Sequence, residues 1–290
     1  MMIQELYDGV GFSYLITVAG RGRQQQKLEK ALDYGFLAAG MHLAPWTMSG
    51  KNVCAFASKL CRKFCITWSG QGGIGLDKYG MNDVQHARIA RTNLFFNNPE
   101  RFWEIFHYEM GRFLNKARKL KLLPVFRPNI TSDILWEKHK TGSSRKSKSM
   151  FEEYPLVQFM DYTAIPLHLR KGRPDNYHLT FSLKEDNHDE AHDVMRKGLA
   201  NVAVVFEKLP YGKRRRSHNV QGTMSDLPKE WSGYPVIDGD VNDLRFLDKP
   251  GHIVALRAKG NRIKGNADGF IFDPYLPYSL AQHKLMMTGT

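Results

Sequence analysis

The sequence predicts an α/β protein: a (β/α) barrel or partial barrel with mostly parallel strands and an N-terminal Cys-rich loop. Three observations predict it. Short apolar runs begin about 19 to 34 residues apart from residue 122 onward, the pitch of strand–helix units. The run Val202-Ala203-Val204-Val205-Phe206 has no polar face, which suits a parallel strand covered on both sides. A short helix expected over 189–197 separates that run from a strand at 177–182, giving a strand–helix–strand crossover. A chain of 290 residues suits one such domain over 1–290, because α/β barrels commonly use about 250.

The elements follow in order. A first strand is expected within 11–19, where Phe12, Tyr14, Leu15, Ile16 and Val18 cluster, and a helix over 25–34. Residues 41–80 are rich in Cys and Gly and are expected to form a cofactor loop. Helices are expected over 82–92 and 100–120. In the second, Phe102, Ile105, Phe106, Met110, Phe113 and Leu114 recur at spacings of three and four, interrupted by Glu109. Pro99 precedes it, as a helix start signal does. Strands are then expected at 122–127, 156–162, 177–182, 202–206, 234–237 and 253–257.

Hydrophobic residues at 42% and charged residues at 24% are ordinary for a globular chain and exclude a largely disordered or fibrous one. No apolar run approaches the roughly 18 residues that span a membrane. The first twenty residues lack a basic segment before an apolar stretch, so no signal peptide is expected. Three cysteines, an odd number, do not make a disulfide framework, and a cytoplasmic location is expected. The formal net charge of +13 favours polyanionic partners, so nucleic acid, with DNA favoured, is the expected partner. Two basic clusters, Arg145, Lys146, Lys148 and Lys213, Arg214, Arg215, Arg216, fall in loop-like stretches suited to contacting a phosphate backbone.

Functional residues in α/β barrels lie just beyond the carboxyl ends of the strands. That rule selects Asp133, Asp161, Asp238 and Asp240 as candidate catalytic carboxylates. It selects Arg127, Asn129, Ser132, Arg257 and Lys259 as candidate substrate-binding groups. Grouped carboxylates repel, so at least one is expected to have a raised pKa unless a neighbouring Arg or Lys neutralises it. Asp133 is the leading candidate, and Asp133→Asn is expected to abolish function at a stability change within about 1 kcal/mol, as for a surface site.

Cys54, Cys61 and Cys65 fall within twelve residues, with six residues between the first two and three between the last two. Thiolates collected this closely suit a metal or an iron–sulfur cluster. His42 or His86 would complete a structural zinc site. Alternatively, an open position on a four-iron cluster would chelate S-adenosylmethionine. The common spacing for that chemistry, three then two intervening residues, is not the one here. Lys59, Arg62 and Lys63 flank the thiols and are expected to lower their pKa values. Gly70, Gly72, Gly73 and Gly75 follow, with backbone able to approach a phosphate or cofactor closely.

Several motifs together resemble the phage gene product eighty-eight family. They are Asn52-Val53-Cys54 with Ala57-Ser58, Cys61 and Cys65; Ala87-Arg88-Ile89-Ala90-Arg91-Thr92 with Phe95-Phe96; Thr131-Ser132-Asp133-Ile134 with Trp136-Glu137; Asp161-Tyr162-Thr163; and Asp238-Gly239-Asp240 with Asp243-Leu244-Arg245-Phe246-Leu247-Asp248. The resemblance covers about residues 43–272 and departs from the family pattern at Ala55 and Pro128. It implies a phage context and a candidate site rather than an activity.

Three functions fit these residues. One is a nucleic-acid- or nucleotide-modifying enzyme similar to radical S-adenosylmethionine enzymes, with the thiolates on the cluster. Another is base exchange similar to the transglycosylases, with an Asp nucleophile, an Asp base and a zinc site. The third is a non-catalytic, zinc-stabilised nucleic-acid binder.

Overall fold

A computed structural model of the chain describes residues 3–20, 26–142, 147–207, 227–259, 269–275 and 278. The chain opens with α1 (Ile3–Tyr7), β1 (Ile16–Val18), α2 (Gln26–Glu29) and β2 (Phe36–Met41). After a long loop carrying α3 (Lys59–Lys63) come α4 (Asp83–Asn97) and α5 (Pro99–Leu120). Next are β3 (Leu123–Arg127), α6 (Met150–Glu153), β4 (Gln158–Thr163), β5 (Tyr177–Ser182), α7 (His188–Arg196) and β6 (Val202–Phe206). The last are β7 (Glu230–Trp231), β8 (Tyr234–Asp238), β9 (Ile253–Arg257) and β10 (Ile271–Phe272).

Among the described residues, ten strands form one sheet, nine of them in the order β1-β2-β3-β4-β5-β6-β9-β8-β7, with β10 joined to β6 off that path. Strands β2 to β6 are consecutive parallel neighbours, and β8 and β9 continue parallel. Only β1 and β7 pair antiparallel, each at an end of the path. β5 pairs β6 at Val202 and Ala203, and β10 takes the same edge further along, at Val205 and Phe206. The predicted mixed α/β architecture with a mostly parallel sheet is therefore present. Among the described residues, no strand pairing closes it into a barrel.

The open sheet is nonetheless curved. Five strands separate β2 from β8, which in a flat sheet is roughly 29 Å at about 4.8 Å per spacing. Yet Lys30, just before β2, donates to the Asp240 carbonyl, just after β8, at 2.6 Å. Phe36 and Phe246 meet edge to face at 5.3 Å. The segment after β8 thus lies across the inner face of the early strands.

The outer face carries the main core. α5 presents Phe102, Trp103, Phe106, Met110 and Phe113 to the sheet, and Phe106 meets Phe126 of β3 at 5.8 Å. Burying side chains of this size stabilises by roughly 1.5–3 kcal/mol each. Glu109 interrupts that apolar stripe for a reason. Its buried carboxylate accepts from the amides of Leu15 and Ile16 at 2.7 and 2.8 Å and from the Tyr7 hydroxyl, and so anchors β1. α5 starts as predicted: the Asn98 side chain accepts from Arg101 N at 3.1 Å and Pro99 takes the first turn, where it forfeits no helical bond. A second core joins α7 to Phe181, Val202, Val204, Phe206 and Trp231.

Candidate functional site at the carboxyl edge of the sheet

Two staples hold the cysteine loop against the carboxyl ends of β3 and β5. Cys54 forms an isolated parallel bridge with Asp133, and Asp133 N donates to Val53 O at 2.8 Å. Glu185, beyond β5, accepts from the Ser58 hydroxyl at 2.6 Å and from Leu60 N at 2.7 Å. Ser58 in turn caps α3 by accepting from Cys61 N at 3.2 Å. All three thiols are half-buried and unbridged. The cysteines and Asp133 therefore share one edge of the sheet.

Burial pushes the Cys54 and Cys61 thiols up to about 12, and the neighbouring thiols and Asp133 push the same way. This corrects the expectation that Lys59, Arg62 and Lys63 lower them. Arg62 donates to Ala57 O at 3.0 Å and lies over the Trp46 ring at 4.5 Å, and Lys63 lies over Phe64 at 5.2 Å. Lys184, not a flanking residue, is the cation that lowers Cys61. Trp46 N donates to Cys54 Sγ at 3.3 Å. Among the described residues, no three His, Cys, Asp or Glu side chains stand together as a ready metal site. His86 is exposed on α4, and His42 lies among arginines.

Asp133 is not a surface carboxylate. It accepts from Thr163 Oγ1 at 2.9 Å, Ala164 N at 2.8 Å and Arg170 Nη2 at 3.0 Å. Arg170 also spans Glu137 at 3.0 and 3.1 Å. The three side chains are 13%, 1% and 2% exposed in the order Asp133, Arg170, Glu137, so Asp133→Asn disturbs a buried ion network. The expected tolerance of that substitution is corrected accordingly. Burial raises the Asp133 pKa against the pull of Arg170.

Asp161 sits in β4, fully enclosed. It accepts from Asn129 N at 2.8 Å, Asn129 Nδ2 at 3.0 Å and the Tyr177 hydroxyl at 2.7 Å, with Arg127 Nε at 3.9 Å. Burial pushes its carboxyl up to about 7, although Arg127 opposes this. The raised pKa expected of a carboxylate is present in Asp133 and Asp161. Its leading cause is desolvation rather than mutual repulsion.

Asn129 is the hub of the turn after β3: its Oδ1 accepts from Ser132 Oγ, Ile134 N and Trp136 Nε1 at 2.8 to 3.0 Å. Asn129 and Ser132 thus hold the turn. Arg127 donates to Asp243 at 2.8 Å and lies over Tyr162 at 4.8 Å.

Asp238 and Asp240 form a separate group. Arg257 Nη1 donates to Asp238 at 2.9 and 3.1 Å, Arg257 N donates to Asp240 at 2.9 Å, and Lys259 pairs with Asp240. The four carboxylates thus divide among three compensated clusters along the strand ends. Segment 239–248, through Asp243, ties the last cluster to the first strands.

The glycine run is not an open cradle. Gly70–Gly73 forms a 3₁₀ turn in which a side chain on Gly72 would collide with the Thr67 carbonyl and one on Gly73 with the Trp68 carbonyl. Gln85 closes it by donating to Thr67 O at 3.0 Å and Gly72 O at 2.7 Å. Of the basic clusters, Arg145, Lys146 and Lys213, Arg214, Arg215, Arg216 lie outside the described residues. Lys148 is exposed. Sequence reasoning missed Arg170 and Tyr177, whose roles rest on partners distant in sequence. It also gave no role to Arg88 and Arg91, although both lie with Gln85, Thr92 and Phe95 on the buried face of α4.

A sequence model described as Gene product 88 matches residues 17–274. The chain belongs to the gene product 88 family. The match spans every element from β2 to β10 together with the cysteine loop, so the site described above lies inside the family region. No curated protein and no solved structure matches the chain. Among the described residues of this gene product 88 protein, no helix is long and apolar enough to cross a membrane.

Proposed function

We propose that this gene product 88 protein is a phage-type nucleic-acid- or nucleotide-modifying enzyme. In this reading Cys54, Cys61 and Cys65 hold an iron–sulfur or other metal centre at the mouth of a partial α/β barrel, in a radical S-adenosylmethionine-like arrangement. The observation that carries the reading is the attachment of the cysteine loop, through Asp133 and Glu185, to the carboxyl ends of the parallel strands. That edge is where α/β barrels keep their chemistry.

The donor set fits such a centre in kind. Three unbridged, half-buried thiols interact with one another, and a backbone amide already donates to one sulfur. Metal binding would deprotonate the thiols and draw them together. A bound cluster would supply electron transfer to a chelated S-adenosylmethionine. The chain's own residues would orient the loop through Ser58 and Glu185 and keep the centre beside Asp133 and Lys184.

The nucleic-acid part is supported by the face of the same loop. Tyr79 is 74% exposed with Lys78 at 5.0 Å from its ring, and Trp46 is partly exposed under Arg62. Exposed rings paired with cations suit stacking on bases beside a phosphate chain. The base-exchange alternative needs a free carboxylate nucleophile, whereas Asp133 and Asp161 are saturated with donors.

The test is nucleoside analysis by mass spectrometry of DNA and RNA from cells expressing the wild type or a triple Cys→Ala variant. A new nucleoside present only with the wild type is expected. Identical nucleoside profiles, with both proteins folded and the wild type metal-loaded, would count against a nucleic-acid-modifying enzyme.

A further inference from the structure

Two guanidiniums on α4 are buried with no carboxylate in hydrogen-bond contact among the described residues. Arg88 and Arg91 are 7% and 6% exposed. Arg88 Nη1 donates only to neutral acceptors, Thr67 O at 3.0 Å, Thr67 Oγ1 at 2.6 Å and Gln85 Oε1 at 3.4 Å, and its Nε has no hydrogen-bond partner among the described residues. Arg91 donates to Tyr14 O at 2.8 Å and His42 O at 3.4 Å and lies over the rings of Phe12 and Tyr14. Arg91 lowers the proton affinity of Arg88, and both bear on His42, which burial keeps neutral.

Buried charges are ordinarily paired, because desolvation outweighs what neutral acceptors return. The carboxylates nearby are already engaged. Glu109 serves Leu15, Ile16 and Tyr7, while Asp161 and Asp243 serve Arg127. Glu109 bears on Arg91 electrostatically, without a hydrogen bond to it. This leaves the Arg88 charge with no carboxylate in hydrogen-bond contact among the described residues, next to Cys65, which interacts with it. His42 is half-buried and Tyr14 is exposed beside them.

We propose that Arg88, Arg91 and His42 form a subsite for a phosphate monoester dianion beside Cys65. Two guanidinium forks offer N–H donors to the several oxygens of a phosphate, more than the two oxygens of a carboxylate can take up. The inference rests on the modifying-enzyme reading above in one respect: it makes the substrate a nucleotide or a nucleic-acid terminus carrying a terminal phosphate.

The experiment is calorimetric titration of the full chain with inorganic phosphate at pH 8, with acetate as the monoanion control. One phosphate per chain is expected, with acetate at least tenfold weaker. Arg88→Gln and Arg91→Gln should each weaken phosphate at least tenfold, and Lys119→Gln, on the exposed side of α5, should not. Because each Arg variant also removes a buried, packed side chain, the Nε–H resonance of Arg88 is followed in the wild type as well. It should shift with the same saturation curve as the calorimetry. Phosphate that does not bind, acetate that binds as tightly, or an Arg88 resonance that stays fixed while phosphate binds would overturn the subsite. Metal content is measured on the same samples. Phosphate binding in metal-free protein leaves the subsite standing and removes the metal centre, whereas a metal-loaded protein blind to phosphate does the reverse.

Discussion

Arg170→Met tests how the cysteine edge is held together. The Arg170 guanidinium is 1% exposed and bonds at once to Asp133 at 3.0 Å and Glu137 at 3.0 and 3.1 Å. Methionine fills comparable space but leaves two enclosed carboxylates with no cation between them. Removing one member of a buried ion network costs about 3–5 kcal/mol, because the partners stay desolvated and unpaired. For a chain of this size that lowers Tm by roughly 10 °C. The companion Asp133→Asn/Glu137→Gln/Arg170→Met should recover roughly half of the loss or more, since it leaves no uncompensated charge. Calorimetric melting of the wild type, the single and the triple variants reads this directly. A single variant within about 1 kcal/mol of the wild type, typical of an exposed pair, would refute a buried network at this edge.

Glu109→Gln places an amide donor against the donors of Leu15, Ile16 and Tyr7 and should destabilise by roughly 1–3 kcal/mol in chemical denaturation, with β1 the first amides to lose exchange protection. Gly73→Ala should cost roughly 1–3 kcal/mol or more by forcing its Cβ into the Trp68 carbonyl, loosening the cysteine loop as read by thiol reactivity. Asp161 sets a pH dependence. Its folded pKa of about 7 lies above the unfolded value near 3.9, so the folded state holds the proton longer and stability falls as pH rises from about 4 to 7, then levels. Asp161→Asn should remove that slope from a Tm–pH profile even though its amide fits the donor-lined pocket worse; an unchanged slope would place the titration elsewhere.

The parts that could be read from sequence are those set by local pattern. The Val202–Phe206 strand, the α5 stripe and the β5–α7–β6 crossover show their periods directly. β2 does not. Its Phe-Leu-Ala-Ala-Gly-Met run has no β-branched residue, and Gly40 is required because a side chain there would meet the Arg127 carbonyl at 2.5 Å. That constraint comes from a neighbouring strand more than eighty residues away in sequence. The strand-end rule found Asp133 and Asp161 together with Arg127 and Asn129, which contact Asp161, but not Arg170 or Tyr177, since Arg170 comes from the loop after β4 and Tyr177 from the start of β5 rather than from a strand end. It also suggested one shared, partly compensated cleft where the structure has three neutralised clusters. Charge compensation depends on which side chains meet, and the curvature of the sheet decides that.

The central claim is that Cys54, Cys61 and Cys65 hold one metal centre at the carboxyl edge of the sheet. Iron, acid-labile sulfide and zinc should be quantified in anaerobically purified wild type and in the three single Cys→Ala variants. The account predicts iron with matching sulfide in the wild type and loss of both in every variant, with each variant still folded. One zinc per chain would contradict the iron–sulfur reading, and a metal content unchanged in all three variants would contradict the centre itself.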